Sequence, residues 1–178
     1  MTSLQLIKKL TPEITINIEQ QSLTLTLTTK DGCIERHVFS ISTAKNGIGN
    51  QEGSGCTPLG KHCIANKIGN NLPENSVFVA RQATGEIYND RLGEQYPDRD
   101  WILTRILWLT GCEKGFNKGE NKVGCCDTYK RYIYIHGTPH TEPMGVPLSH
   151  GCIRMRNLDL LWLFDNVEEG TPVEIVKR

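Results

Sequence analysis

The sequence predicts a mostly β fold with a packed sandwich or barrel-like core and few helices. Apolar residues alternate with polar ones in several short runs, which is the period-two pattern of half-buried strands. Turn residues separate these runs, and two of the connecting stretches are long and rich in glycine. A chain of 178 residues can bury a substantial core, so we expect one domain spanning residues 1–178.

The first three predicted strands follow one another near the start of the chain. Isoleucines alternate with polar residues over 14–18, and leucines alternate with threonines over 23–27. Because the polar residues 19–22 join these two runs, we predict a β-hairpin. Residues 30–32 are a turn signal, and residues 33–42 form the third predicted strand.

The central part of the chain has shorter and less regular runs. Residues 61–66 and 76–81 are predicted strands. Residues 84–100 are polar and rich in turn formers, whereas the apolar run 101–109 fits either a strand or a helix.

Two long loops are candidates for the walls or lids of a cleft. Residues 46–60 carry five glycines, and residues 111–127 carry four. Loops longer than about 12 residues in a compact domain are usually functional.

The C-terminal third has the clearest elements. Residues 132–135 predict a strand that delivers His136 at its end. Asn157 is the predicted N-cap of a helix over 158–166, which has an apolar face. Residues 173–176 form the last predicted strand.

Charge and cysteine content narrow the function classes. Lys plus Arg and Asp plus Glu each total 20, so no charged field favours nucleic acid or a membrane surface. No apolar run approaches the roughly 18 residues of a membrane helix, and residues 1–10 lack the pattern of a signal peptide. Seven cysteines, an odd number, would risk mispairing in an oxidising compartment. We therefore expect a cytoplasmic protein.

A histidine and a cysteine in glycine-containing segments indicate cysteine acyl-transfer chemistry. Cys152 follows His136 by 16 residues, and each has a glycine beside it. A thiol needs a nearby base, because the thiolate is the nucleophile. The glycine beside Cys152, Gly151, allows close approach of the backbone, so amides there are candidates for an oxyanion hole.

These residues resemble the active-site signature of the L,D-transpeptidase catalytic domain family, the YkuD type. The family has an upstream His-Gly, a variable loop, and then Ser/Thr-His-Gly-Cys, a hydrophobic residue and Asn or Arg; residues 136–137 and 149–154 are similar to it. Residues 57–60 are similar to the family's Thr-Pro-x-Gly segment, and residues 14–32 to its first hairpin. The resemblance implies a YkuD-like β-sandwich or barrel-like core with one or two short helices.

The roles of the site residues follow partly from the residues and partly from the resemblance. Cys152 is the expected nucleophile and His136 its base, with His150, two residues from the cysteine, as a rival base. The resemblance implies that His150 lines the substrate site instead.

The neighbours of this pair are expected to orient it or to bind substrate. The carbonyl of Gly137 or one nearby can hold the imidazole tautomer, and Ser149 either hydrogen-bonds within the site or is a plain turn serine. The amides of Gly151 and Cys152 are expected to hold the oxyanion. Arg154 either grips a substrate carboxylate or is a structural arginine.

The resemblance implies cleavage of the L,D-peptide bond between the diamino acid and D-Ala in peptidoglycan tetrapeptides, through a thioacyl-enzyme. We expect an L,D-carboxypeptidase that trims free muropeptides during recycling, with L,D-transpeptidation by cross-linking or D-amino acid exchange as the alternative. Carbapenem-type β-lactams are expected to acylate the thiol.

Two other classes of protein stay open. A non-enzymatic peptidoglycan-binding module would need no thiol. A zinc protein would use the histidines and cysteines, but they form no Cys-x-x-Cys pair, so no cofactor or metal is expected.

Overall fold

The structure is a computed structural model that describes residues 11–178. The expectation about residues 1–10 lies outside this range. The elements in chain order are β1 (Thr11–Asn17), β2 (Ser22–Thr28), β3 (Ile34–Ser42), β4 (Gly60–Ile68), β5 (Ser76–Val79), β6 (Gln82–Ile87), α1 (Asp90–Gln95), β7 (Ile102–Gly111), β8 (Glu120–Asn121), β9 (Gly124–Cys125), β10 (Tyr134–Gly137), β11 (Ile153–Met155), α2 (Asn157–Asn166) and β12 (Pro172–Val176).

Eight of these strands close into a barrel. They run in the order β10-β11-β3-β2-β1-β12-β4-β7, and an antiparallel pairing of β10 with β7 completes the ring. The β5–β6 hairpin extends from β7 on the outside of the ring. A short ribbon of β8 and β9 lies within the second long loop.

The period-two pattern of the sequence explains which side chains fill the core. In β1 and β2 the buried members are Ile14, Ile16, Leu23, Leu25 and Leu27, while their neighbours in sequence are more exposed. Helix α2 adds three apolar side chains to the same core cluster. Burial of a side chain of this size typically stabilises the fold by about 1.5–3 kcal/mol.

The mostly β prediction is confirmed, as are the first hairpin, the third strand and the final strand. The strand predicted over 132–135 is present but begins at Tyr134 and contains His136, because Tyr132 lies in a turn with positive φ. The ambiguous run 101–109 is part of strand β7, which is buried along most of its length and pairs with β4, β5 and β10. Central strands of this kind show a continuous apolar run instead of alternation.

Three further predictions about local structure need correction. The polar segment 84–100 contains most of β6 and helix α1, whose side-chain cap Asn89 accepts a hydrogen bond from the amide of Leu92 at 3.0 Å. The predicted strand 76–81 ends at Val79, because the next two residues form the turn of a hairpin. Asn157 is the first residue of α2 and does not cap it; its side-chain amide donates to Asn75 instead.

Helices α1 and α2 have six and ten residues, and neither is long and apolar enough to span a bilayer.

Candidate active site

Two neighbouring parallel strands bring His136 and Cys152 to the same side of the sheet. In the register of β10 with β11, Ile135 pairs with Ile153 and His136 pairs with Arg154. The two isoleucines belong to the main core. Since side chains alternate along a strand, His136 and Cys152, which directly precedes β11, lie on the opposite face.

The register of this ladder fixes the approximate separation of the Cα atoms of His136 and Cys152. Cys152 is two positions before Arg154, the residue that pairs with His136. With a rise of about 3.3 Å per residue and strands about 4.8 Å apart, the two Cα atoms lie roughly 8 Å from each other.

The sulfur of Cys152 lies in apolar surroundings. The side chain packs against the cluster of Phe78, Ile106 and Tyr134. The amide of Tyr134 donates to Sγ at 3.4 Å, and the thiol donates to the carbonyl of Tyr132 at 3.4 Å. Burial raises the pKa of the Cys152 thiol to about 12, although the Tyr134 amide acts in the opposite direction. Burial and the hydrogen bond to the Tyr132 carbonyl both favour the protonated thiol.

His136 is held as a neutral base with a defined tautomer. His136 is 1% exposed, and this burial lowers the pKa of its imidazole. The hydrogen bond to the Gly137 carbonyl and the charge of Asp100 raise the same pKa, but the effect of burial is larger. Nδ1 lies 2.7 Å from the Gly137 carbonyl oxygen, which only accepts hydrogen bonds, so Nδ1 carries the proton. Nε2 is thereby left with its lone pair, as a general base requires. This is the carbonyl that the sequence analysis named as an orienting group.

The turn that precedes the nucleophile is tied together by hydroxyl groups. Ser149 Oγ donates to the Cys152 carbonyl at 2.5 Å and accepts from the Gly151 amide at 3.3 Å. Thr57 Oγ1 donates to the Gly151 carbonyl at 2.9 Å. Gly151 has φ +136°, and a Cβ there would lie 3.2 Å from Ile133 Cδ1. Glycine at this position is thus required by both backbone conformation and space.

Arg154 is engaged in two ion pairs. Its side chain is 9% exposed, and its guanidinium meets Asp100 Oδ1 at 2.8 Å and Glu142 Oε2 at 3.2 Å. Burial would raise the pKa of Asp100, but His136, Arg154 and His150 together hold it below its usual value. A substrate carboxylate at Arg154 would have to compete with both protein carboxylates.

His150 lies at the surface between two clefts. Its side chain is 81% exposed, and Nδ1 lies 3.5 Å from Asp100 Oδ2. One cleft of about 360 Å³ includes Asp100, Glu142 and His150 in its lining. The other, of about 390 Å³, includes Glu52, Arg131 and His150. His136, which is buried with a fixed tautomer, thus differs from the exposed His150.

Arg131 is a site residue that the sequence analysis missed. It bridges the first long loop, donating to the carbonyls of Gly49 at 3.1 Å and Cys56 at 2.7 Å and to Ser54 Oγ at 3.3 Å. Its positive charge lowers the pKa of Cys152, so it favours the thiolate that forms during attack. Asp100 was also missed. Among residues 11–178, no group of three or more His, Cys, Asp or Glu side chains is placed to hold a metal ion.

The closed β-barrel places a histidine in β10 and a cysteine directly before the neighbouring strand β11. The family model of the L,D-transpeptidase catalytic domain, YkuD, matches residues 11–175. The chain therefore belongs to this family.

Relatives and solved structures agree with this assignment. The probable L,D-transpeptidase ErfK/SrfK of Escherichia coli strain K12 is 45% identical over 60 residues, which cover 33% of this chain and 19% of that protein. The putative L,D-transpeptidase YkuD of Bacillus licheniformis is 37% identical over 93 residues, or 48% of this chain and 54% of that protein. The chain thus matches only part of the length of either relative.

The fold is shared with L,D-transpeptidases of low sequence identity. L,D-transpeptidase 3 of Mycobacterium tuberculosis superposes with a TM-score of 0.55 at 18% identity, covering 94% of this chain and 61% of that one. Another structure of L,D-transpeptidase 3 from the same organism is a complex with a faropenem-derived adduct.

Proposed function

We propose that this chain is an L,D-carboxypeptidase that removes the terminal D-residue from peptidoglycan tetrapeptides through a thioacyl-enzyme on Cys152. The observation that carries the proposal is the placement of Cys152 and His136 on one face of adjacent parallel strands, with His136 Nδ1 bonded to the Gly137 carbonyl. That bond leaves Nε2 available to take the thiol proton.

The acylation step uses groups that the site already orients. His136 Nε2 takes the proton from Cys152 as Sγ attacks the carbonyl carbon of the diamino acid. The C–S bond forms, and the carbonyl oxygen becomes an oxyanion. The C–N bond to the D-residue then breaks, and the departing amine takes the proton back from His136.

Backbone amides near the nucleophile provide the oxyanion hole. The Gly151 amide already donates to Ser149 Oγ. The Cys152 amide donates to no acceptor among residues 11–178 and is the better placed donor. One such donor is typically worth about 3 kcal/mol of transition-state stabilisation.

Deacylation by water completes the cycle. His136 takes a proton from water, the hydroxyl oxygen attacks the thioester carbonyl, and the C–S bond breaks. His136 then returns the proton to sulfur, so the products are a tripeptide, the free D-amino acid and the original neutral pair. The raised pKa of the Cys152 thiol favours this return to the protonated form.

The thiol content supports a cytoplasmic site of action, and with it hydrolysis. All seven cysteines lie within residues 11–178, and none is in a disulfide. Thiols persist in this state in a reducing compartment. There, free muropeptides are substrates, whereas the amine acceptors of the assembled wall are absent.

Transpeptidation is the second candidate, and the two clefts that meet at His150 favour it. The two clefts share His150 in their linings and are two separate spaces, as a donor peptide and an acceptor amine would require. With an amine acceptor the same thioacyl-enzyme would give a cross-link or exchange the D-residue.

Mass spectrometry of the products separates these functions. The enzyme is incubated with a free muropeptide tetrapeptide, with and without excess D-amino acid. Tripeptide as the main product in both cases supports the carboxypeptidase, and exchange products or dimers support the transpeptidase. Cys152→Ala is the inactive variant, and Cys33→Ala, which removes an exposed thiol outside the site, is the matched control.

A carbapenem provides an independent test of the nucleophile. We expect one covalent adduct per chain on the wild-type protein and on Cys33→Ala, and none on Cys152→Ala. Turnover of the tetrapeptide by Cys152→Ala would count against the proposed mechanism. If the wild type and Cys152→Ala bound the peptide equally and neither turned it over, a peptidoglycan-binding module would be favoured.

A further inference from the structure

The turn of the β5–β6 hairpin holds an arginine in an uncommon conformation. Ala80 and Arg81 join the two strands, and both have positive φ angles, +48° and +68°. Two-residue hairpin turns of this kind favour glycine and asparagine. Neither residue is one of these, so the hairpin keeps Arg81 in place at a conformational cost.

Aromatic rings and one hydroxyl group fix the Arg81 guanidinium. Its central carbon lies 4.9 Å from the centroid of the Trp108 ring and 4.7 Å from that of Tyr132. Nη1 donates to Tyr134 Oη at 3.2 Å. Trp108 is itself held by stacking on Tyr129 at 3.8 Å between centroids. The cation is thus oriented on a rigid aromatic shelf.

Among residues 11–178, Arg81 has fewer hydrogen-bond acceptors than the two other arginines of the site. Arg154 meets two carboxylates, and Arg131 donates to three oxygen atoms of the first long loop. Among residues 11–178, no carboxylate forms an ion pair with Arg81. A guanidinium has five N–H donors, and the bond to Tyr134 uses one of them.

One tyrosine separates Arg81 from the nucleophile. The backbone amide of Tyr134 donates to Cys152 Sγ at 3.4 Å, and its hydroxyl group accepts from Arg81. Tyr132, which forms part of the shelf, also accepts from the Cys152 thiol through its carbonyl at 3.4 Å. Tyr132 is 51% exposed, so a ligand can reach the shelf from solvent.

The guanidinium is therefore one tyrosine side chain away from the backbone amide that contacts Cys152 Sγ. A carboxylate one residue beyond the attacked carbonyl lies about 3.5 Å further along the peptide. An arginine donor adds about 2.8 Å to that reach. An arginine near the nucleophile is therefore suited to a carboxylate near the scissile bond.

We propose that Arg81 binds a substrate carboxylate within one residue of the scissile carbonyl and thereby determines substrate specificity. The inference rests on the proposed function and names the group that recognises a free peptide end. Two sources have this chemistry, the α-carboxylate of the terminal D-residue and the side-chain carboxylate of the diamino acid. The first would make the site selective for chain ends.

The test combines one variant with three peptides. Arg81→Gln removes the charge, and Arg36→Gln, at an exposed position of β3, is the matched control. The peptides are a tetrapeptide with diaminopimelate and a free C-terminus, its C-terminal carboxamide, and a free-acid tetrapeptide with lysine in place of diaminopimelate. Circular dichroism melting verifies that each variant is folded.

Arg81→Gln is expected to raise KM for the free acid by about 10- to 100-fold with a much smaller change in kcat. If the terminal carboxylate is the ligand, the carboxamide is a poor substrate for the wild type, and the variant treats acid and amide alike. If the side-chain carboxylate is the ligand, the penalty instead disappears with the lysine peptide. An equal penalty on all three peptides, or none on any, overturns the inference.

Binding to the inactive protein distinguishes this inference from the proposed function. Calorimetry compares the free-acid tetrapeptide with Cys152→Ala and with the Cys152→Ala, Arg81→Gln double variant. Weaker binding by the double variant, with no turnover by the wild type, would retain the carboxylate site and reject the proposed reaction. Turnover by the wild type with equal binding by both variants would reject the carboxylate site alone.

Discussion

Iodoacetamide, a small uncharged electrophile, is expected to alkylate Cys152 much more slowly than an ordinary exposed thiol. Burial raises the pKa of this thiol from 9.0 to about 12, which lowers the thiolate fraction at neutral pH by about 10³. A more basic thiolate is also more nucleophilic. With a Brønsted coefficient of about 0.45, a pKa higher by about three units makes the thiolate about 20-fold more reactive. The net expectation is a rate about 50-fold below that of an ordinary thiol.

Peptide-level mass spectrometry after timed quenching measures this rate from about pH 6 to about pH 10. The exposed Cys33 in the same chain is the internal reference. Because the thiolate is the reacting species, the Cys152 rate should rise about tenfold per pH unit and show no plateau in this range. A closed cleft would also slow the reaction, but it would not change this slope.

A plateau at or below neutral pH would refute the reasoning. It would mean that Cys152 and His136 exist at rest as a thiolate and an imidazolium. His136→Ala is the control, since loss of the histidine would remove such a plateau and leave the simple tenfold slope of a buried thiol.

Further predictions concern Asp100, His62 and Gly151. Asp100 raises the pKa of His136, so Asp100→Asn should shift the acid limb of the kcat/KM profile to lower pH; an upward shift would contradict this electrostatic assignment. Burial lowers the pKa of His62 from 6.5 to about 4, so the unfolded state binds this proton first as the pH falls. The free energy of unfolding should therefore decrease by up to about 3 kcal/mol between pH 6.5 and pH 4, and His62→Gln should flatten this dependence in urea titrations at each pH. Gly151→Ala should lower stability by about 1–3 kcal/mol and abolish carbapenem acylation, because it combines a left-handed backbone with a close side-chain contact. Gly170→Ala, with φ +90° and open space around the Cβ position, isolates the backbone contribution, and an equal loss of acylation in both variants would remove the special role of Gly151.

Strands with one buried face were predictable because each carries its own signal. The isoleucines of β1 and the leucines of β2 alternate with polar residues, so the pattern alone identifies the buried face. Strand β7 has no such alternation, because most of its residues are buried where it pairs with β4 and β10 of the barrel and with β5 of the hairpin. Strand β6 has exposed residues along nearly its whole length, so burial left no pattern to detect.

Some residues of the candidate site were likewise predictable from the sequence, and others were not. His136 and Cys152 stand in short motifs that the sequence displays directly. Asp100 is bonded to Arg154, which is 54 residues away in the sequence. Arg131 is bonded to the Cys56 carbonyl, which is 75 residues away. Only the closure of the barrel brings these groups together. Arg81 lies in a turn whose composition gives no indication of the aromatic shelf beneath it.

The β5–β6 hairpin is joined to the barrel through β5 alone, by pairing with one end of β7. Strand β6 is therefore an open edge of the sheet, whereas the strands that flank Cys152 are paired on both sides. Substitutions or insertions in the hairpin can reposition Arg81 without breaking a hydrogen bond of the ring. If Arg81 has the proposed role, recognition of the substrate and the chemistry at Cys152 occupy separable parts of the chain, so that selection is able to alter one while the other is maintained.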